Sequence, residues 1–426
     1  MKKFLPLLSV IFFILLTGCT NNSIENNLND IPLQKLSSKE TGIDFANTIR
    51  PNLETKENLF DYDYFYNGSG VGIADLNNDG LKDVFFTSNQ TPNKLYLNKG
   101  ELRFEDITEK SNVNQNKGWS SGVTFADVNN DGWLDIYVSQ GGPFSTIKRK
   151  NILLINNKDL TFTENASLYG LDDQGISTQS AFFDFDKDGD LDCVVMNENE
   201  FYGYDPLTFF KNFENKSLLR RNSSQLYEQV DGKFVNITEK AGLLSPTFGL
   251  GLCVSDINDD GWQDIYIAND YYVKDAMYIN NQDGTFSNKI KESTKQISFY
   301  GMGVDIEDIN GDNLSDIFVL DMASSDHVRS KTLMASMNTS NFDLITNKLD
   351  QHYQYMFNSL QLNMGNNKYH NISHQLNIAK TDWSWAGLIF DYNLDGNEDI
   401  FVTNGYRKYG SDNDSRIKIN QTRKEY

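Results

Sequence analysis

The sequence predicts an all-β fold, a β-propeller built of four-stranded antiparallel blades. Three observations carry that expectation. A nine-residue acidic loop recurs six times, starting at residues 75, 127, 184, 256, 308 and 391. Each copy runs directly into a short β-favouring stretch. A second, plain hairpin comes after most copies.

The loop is clearest in Asp184-Phe185-Asp186-Lys187-Asp188-Gly189-Asp190-Leu191-Asp192. Carboxylates at positions 1, 3, 5 and 9 can converge on one hard cation, which takes six to eight oxygen ligands at about 2.3–2.6 Å. Glycine at position 6 permits the sharp turn that brings the position 7 carbonyl, here that of Asp190, among the ligands. The first copy offers Asp75, Asn77, Asp79, Leu81 and Asp83 at positions 1, 3, 5, 7 and 9, and the second Asp127, Asn129, Asp131, Trp133 and Asp135. The fourth offers Asp256, Asn258, Asp260, Trp262 and Asp264, and the fifth Asp308, Asn310, Asp312, Leu314 and Asp316. The sixth offers Asp391, Asn393, Asp395, Asn397 and Asp399. The fifth copy has Asn313 at position 6, a tolerable exchange because asparagine enters left-handed backbone more readily than most residues. Turns alone account for Asp, Asn and Gly. They do not account for aspartate at position 9 of all six copies.

The residues after each loop set the architecture. Val84-Phe85-Phe86, Ile136-Tyr137-Val138, Ile265-Tyr266-Ile267, Ile317-Phe318-Val319 and Ile400-Phe401-Val402 are β-branched or aromatic runs, which read as strands. An EF-hand would need glutamate at position 12 and flanking helices. Position 12 is instead Phe86, Val138, Val195, Ile267, Val319 and Val402. Plain hairpins come next at Lys94–Thr108, Leu153–Phe162, Gln225–Thr238, Ala276–Phe286 and Ser359–Ser373, each with a Gly- or Asn-rich turn. One cation hairpin plus one plain hairpin makes a four-stranded sheet, and radial repetition of such sheets is a propeller. After the sixth loop no second hairpin is visible. Either Thr41 to Phe65 supplies the missing strands, or the chain is a shortened form of a longer protein.

Two intervals carry insertions. Residues 197–223 hold Phe201-Tyr202-Gly203-Tyr204 and the basic Leu219-Arg220-Arg221, and residues 323–357 favour helix. Insertions on one face of a repeat fold are frequent binding loops. A lid that only packs is the alternative. Trp119, Trp133, Trp262, Trp383 and Trp385 lie in or just before the loops; they suit either blade packing or stacking on a ligand.

The termini and charge bound the function. Lys2-Lys3 precedes the apolar stretch Phe4–Leu16, which ends in Leu16-Thr17-Gly18-Cys19. This is a signal peptide over residues 1–18 with a lipobox-like ending, so Cys19 is the expected lipidation site; a simple cleavage site is the alternative reading. Residues 19–40 suit a flexible tether, and 41–426 the propeller. The net charge of −21 argues against a nucleic-acid partner. Cys193 and Cys253 sit in apolar runs and read as free buried thiols. The four histidines, His327, His352, His370 and His374, form no nucleophile or metal motif.

The loops resemble those of the FG-GAP/VCBS repeat family, which includes the integrin alpha-subunit propeller. Tyr66-Asn67-Gly68-Ser69-Gly70-Val71-Gly72 and Thr381-Asp382-Trp383-Ser384-Trp385-Ala386 are similar to runs in secreted or lipid-anchored bacterial members related to the cartilage acidic protein group. The resemblance covers residues 70 to about 405. It implies calcium at positions 1, 3, 5, 7 and 9 of every loop and a seven-bladed ring. The expected function is a non-catalytic, calcium-binding module on the outer membrane, at its surface or periplasmic face, adhering to a protein or glycan. The alternative is a polysaccharide lyase or hydrolase on the same scaffold.

Overall fold

A computed structural model of the chain describes residues 34–114, 118–143, 146–201, 203–332 and 339–405. The chain divides into two units, Met1–Lys35 and Leu36–Tyr426, and almost all described residues belong to the second. The signal peptide, Cys19 and most of the tether lie outside the described residues.

The second unit is all-β in plan, with six sheets succeeding one another in a ring that resembles a six-bladed propeller. The first sheet is β1 (Val71–Ala74), β2 (Asp83–Phe86), β3 (Lys94–Asn98) and β4 (Phe104–Asp106). The second is β5 (Trp119–Ala126), β6 (Asp135–Gly141), β7 (Ile152–Asn156) and β8 (Phe162–Glu164). The third is β9 (Ser177–Phe183), β10 (Asp192–Asn197), β11 (Gln225–Val230) and β12 (Lys233–Asn236). The fourth is β13 (Gly249–Ser255), β14 (Asp264–Asn269), β15 (Ala276–Asn280) and β16 (Phe286–Asn288). The two-residue β17 (Ile297–Ser298) precedes β18 (Val304–Glu307) and β19 (Asp316–Val319). Then come β20 (Met322–Ala323), β21 (Gln354–Tyr355), β22 (Ser359–Asn363), β23 (Tyr369–Asn371), β24 (Asp382–Phe390) and β25 (Asp399–Asn404). The fifth blade is β18-β19-β22-β23, and the sixth sheet has three strands, β20-β24-β25.

Each blade presents two apolar faces, because alternate residues of a strand point to opposite sides. Phe85 of β2 faces the second blade, where it packs with Val123, Ile136 and Val138. Tyr137 faces the third blade, packing with Cys193, Val195 and Tyr227. The series continues with Val194 against Ile265 and Ile267, then Tyr266 against Ile317 and Val319, then Phe318 against Ile389. First strands lie side by side in the order β1, β5, β9, β13, β18, β24. Among the described residues the ring reaches six sheets rather than the seven implied by resemblance, and its two ends differ from the rest. Phe401, the sixth member of the Phe85 series, is 44% exposed, whereas its five counterparts are 1% exposed or less. Ile73, on the opposite face of the first blade, is 64% exposed.

Residues 41–65 add no strand to any sheet, so the reading in which they complete the last blade is corrected. They do something else. Phe45 stacks on Phe86 at 4.6 Å, and the Tyr96 hydroxyl donates to Asp44 at 2.8 Å, which covers part of the first blade's outer face. Further on, Tyr62 donates to Glu198 at 3.2 Å, Tyr64 donates to Asp270 at 2.7 Å, and Phe65 lies 5.3 Å from Trp119. One short segment thereby touches the second, third and fourth blades. Aromatic side chains with polar tips suit this position, since they bury rings while satisfying buried carboxylates.

A connector motif recurs ahead of three blades. Short helices at Ser38–Thr41 and Ala166–Tyr169 end in Gly42 and Gly170, and Gly242 closes the corresponding link before the fourth blade. All three have φ near +83°, and a Cβ on them would meet the carbonyl oxygen of Phe104, Phe234 and Phe286 at 2.3, 2.4 and 2.9 Å. Only glycine is free of both penalties. Gly170→Ala is therefore expected to cost about 2 kcal/mol or more, measured by chemical denaturation, from left-handed strain plus displacement of the Phe234 backbone. A variant as stable as the parent would remove this account of the connector.

Candidate cation loops and the opposite face

The six loops share one backbone. Position 4 is left-handed in every copy, occupied by Asn78, Asn130, Lys187, Asp259, Gly311 and Leu394, and so is position 6. In the fifth copy the two residue types trade places: Gly311 takes position 4 while Asn313 takes position 6 at φ 65°. That exchange keeps the turn, as expected of asparagine.

The side chains converge in the same way each time. The position 1 carboxylate accepts from the position 6 amide, as with Gly80 to Asp75 at 2.8 Å and Gly132 to Asp127, Gly261 to Asp256 and Gly396 to Asp391 at 2.7 Å. Gly189 to Asp184 and Asn313 to Asp308 complete the set at 3.1 and 2.7 Å. Position 3 accepts from the position 5 amide, and position 5 from the position 7 amide, as with Asp260 to Asn258 at 3.2 Å and Trp262 to Asp260 at 2.9 Å. Each carboxylate oxygen has a second lone pair, so these bonds orient the donor set and leave it able to bind a cation. Asp184, Asp186 and Asp188 bring ligand oxygens within 4.8 Å of one another, the only such three-acid cluster among the described residues. This is the copy whose position 3 is aspartate. The donor set, hard oxygens in a tight loop, fits calcium.

Position 9 has a role beyond the one that loop spacing suggests. Asp83, Asp135, Asp192, Asp264 and Asp316 are 1% exposed or less. One oxygen of each accepts from the position 2 amide: Leu76, Val128, Phe185, Ile257 and Ile309, at 3.0–3.2 Å. The other accepts from an amide of the third strand, that of Asn98, Asn156, Gln229, Asn280 and Asn363, at 2.7–2.9 Å. These aspartates therefore pin the cation hairpin to the plain hairpin. Burial pushes Asp135 up to about 6, and Asp192 and Asp264 up to about 7. A bound cation would oppose that shift by favouring the ionised form. Asp399 departs from the pattern. No third strand comes after β25 among the described residues, and its buried Oδ2 has no hydrogen-bond partner.

The third-strand asparagines carry the link onward. Asn156 Nδ2 donates to the Leu76 carbonyl of the preceding blade's loop at 2.9 Å, and Asn280 Nδ2 to that of Phe185 at 2.8 Å. Neighbouring loops also touch directly, with Asn78 Nδ2 donating to the Gly132 carbonyl at 3.0 Å and Lys187 Nζ over the Trp262 ring at 4.3 Å, while within the second blade Lys158 pairs with Asp131 at 3.3 Å. The tryptophans divide accordingly. Trp119 and Trp383 are buried, Trp385 donates to the Gly405 carbonyl at 2.6 Å, and Trp133 and Trp262 flank the loops half-buried.

Strands alternate in direction, so the cation loops emerge on one face of the ring and the links between second and third strands on the other. That second face carries both insertions. Residues 197–223 form helices at Pro206–Asn212 and Lys216–Arg221, which the sequence pattern did not announce; residues 323–357 include helices at His327–Thr332 and Thr339–Asp343. They meet: Ile345 packs in one cluster with Phe209, Phe213, Phe248 and Tyr272. The basic patch is neutralised, Arg220 pairing with Glu239 and Arg221 with Glu200. His352 is buried against Thr294, and His374 lies edge-on to Phe357. Cys193 and Cys253 are free, the first buried and the second half-buried.

Beneath this face lies a set of buried acids. Asp270, bonded to Tyr64, and Asp275, accepting from Tyr266 at 2.9 Å, are pushed up to about 7 by burial, and Asp321, accepting from Ser298, to about 6. Their ordinary value is 3.8. Folding therefore takes up protons between these values. The stabilisation, present in full below the ordinary value, is lost as pH rises through about 6 to 7. With calcium held saturating, the melting temperature is expected to be higher at pH 5 than at pH 8. The reverse order would contradict this burial.

An FG-GAP-like repeat matches residues 75–138, which hold the first and second loops, and residues 256–319, which hold the fourth and fifth. The chain is 30% identical over 131 residues to cartilage acidic protein 1 of Xenopus tropicalis, spanning 30% of this chain and 20% of that protein. The Mus musculus protein of the same name is 29% identical over 133 residues, with the same coverage. A T-cell immunomodulatory protein homolog of Plasmodium yoelii yoelii is 24% identical over 273 residues, 50% of this chain and 36% of that protein. The matches thus span between a fifth and about a third of the relatives' length. Among the described residues no helix is long and apolar enough to cross a membrane.

Proposed function

From a chain that carries two FG-GAP-like repeat matches and is built as a β-propeller, we propose a calcium-stabilised, lipid-anchored surface module that binds a protein or glycan without catalysing a reaction. The observation that carries this reading is the division of labour between the two faces. Residues 75–83 and their five counterparts sit at one end of the blades, and a buried aspartate pins the hairpin in five of the six. Calcium would be held by the oxygens at positions 1, 3, 5, 7 and 9, and supplies charge neutralisation and rigidity.

The long links occupy the other face. Held on a stiff ring they lose little freedom on binding, which favours affinity. Cys19 would provide the tether, with the outer membrane as its site. Arrays of glycans and of proteins, screened with calcium present and again with chelator, test the reading. Calcium-dependent retention of one ligand class without product release is the expected result. Turnover of a bound glycan would instead establish an enzyme.

A further inference from the structure

The face opposite the cation loops, where the two insertions meet, also holds a cavity. It has a volume of about 370 Å³ and lies between the third and fourth blades, within the size range of small-molecule sites. Phe210, Phe213 and Leu219 from the first insertion and Val273 and Tyr278 from the fourth blade line it, together with Lys274. Gln351 of the second insertion borders it as well, its Oε1 accepting from the Lys274 amide at 3.3 Å. The walls pair this apolar side with polar groups, Ser245, Thr247, Asn269 and Asn288, and carry one cation.

That cation is not committed elsewhere. Lys274 is half-buried, and among the described residues it forms no ion pair. The acid nearest to it in effect, Asp350, is paired with Lys291. Glu214 also lines the cavity, but it is exposed, so solvent screens its charge. A half-buried ammonium without a counter-ion is costly, and burial accordingly pushes Lys274 below its ordinary range. An anion entering the cavity would remove that cost.

We propose that the cavity beside Lys274 binds a small amphipathic carboxylate, its apolar body between Phe210, Phe213, Leu219 and Tyr278 and its carboxylate on the Lys274 ammonium. This site goes beyond the macromolecular binding proposed above and does not depend on it. It would link the two insertions: the first contributes Phe210, Phe213 and Leu219 to the lining and the second Gln351, so a ligand there would brace one against the other.

The test is calorimetric titration of the full chain with 3-phenylpropionate, and with 3-phenyl-1-propanol as the uncharged comparator. Saturable binding at one site is expected, weaker by about tenfold or more for the alcohol and for Lys274→Met. Lys274→Met should melt with the parent, since it breaks no ion pair. If it does not, Leu219→Trp fills the cavity from a half-buried helix position and is expected to abolish binding while the lysine stays in place. No saturable binding up to roughly 10 mM would overturn the proposal. So would equal affinity for acid and alcohol, or undiminished binding by both variants.

Discussion

Removing divalent cations from the full chain with a chelator lowers its melting temperature by on the order of 10 °C or more, and added calcium restores it. The size comes from linkage. A site filled at a hundred times its dissociation constant contributes about 2.7 kcal/mol, and at roughly 1.2 °C per kcal/mol for a folded unit of this length four such sites suffice. Six loops bring 19 carboxylates at positions 1, 3, 5 and 9 into close groups, and without cations that charge is opposed only by backbone amides and a few lysines. The third loop, with Asp186 where the others carry asparagine, is expected to hold its ion most tightly. A melt that is the same with and without chelator would sink the calcium reading.

Asp264→Ala carries the second large effect, and it separates two roles within one loop. Its carboxylate accepts from the buried amides of Ile257 and Asn280 at 3.0 and 2.7 Å. Each orphaned donor costs about 1–3 kcal/mol, so the loss is about 2–6 kcal/mol even with no metal present. Asp260 in the same loop is exposed and accepts from Trp262 and Asn258. Asp260→Ala should accordingly cost little in chelator and a calcium-dependent amount otherwise. Denaturation of both variants in the two conditions checks this. Equal behaviour of the two would mean that position 9 is not an anchor.

Much of the ring is legible in the sequence because its signals are local. A nine-residue loop with fixed spacing names its own turn, and β-branched runs after it name the strands. The same periodicity announces the four-stranded blade. The features that escape a sequence reading depend on contacts distant along the chain. Asp264 reads as a ligand like its neighbours; only the folded sheet brings the Asn280 amide to it. A signal exists, since the third strand ends in asparagine at Asn98, Asn156, Asn280 and Asn363, but periodicity alone gives that residue no partner.

The N-terminal segment misleads for a related reason. Tyr62, Tyr64 and Phe65 look like strand formers, yet their partners are buried acids and a tryptophan on three different blades, which override local preference. The connector Ser38-Lys39-Glu40-Thr41-Gly42-Ile43 can be matched to Thr238-Glu239-Lys240-Ala241-Gly242-Leu243, which places it ahead of the first blade. The cavity beside Lys274 leaves no trace in the sequence, because its walls come from the first insertion, the fourth blade and Gln351, whose meeting is purely tertiary.

If each acidic loop is a cation site built into the scaffold, the ions can be counted. The most direct measurement is the number of calcium ions retained per chain, by elemental analysis after equilibration against buffered calcium. About six are expected, one per loop, falling by one in a variant such as Asp260→Ala. One ion or none per folded chain would contradict a scaffold of cation loops.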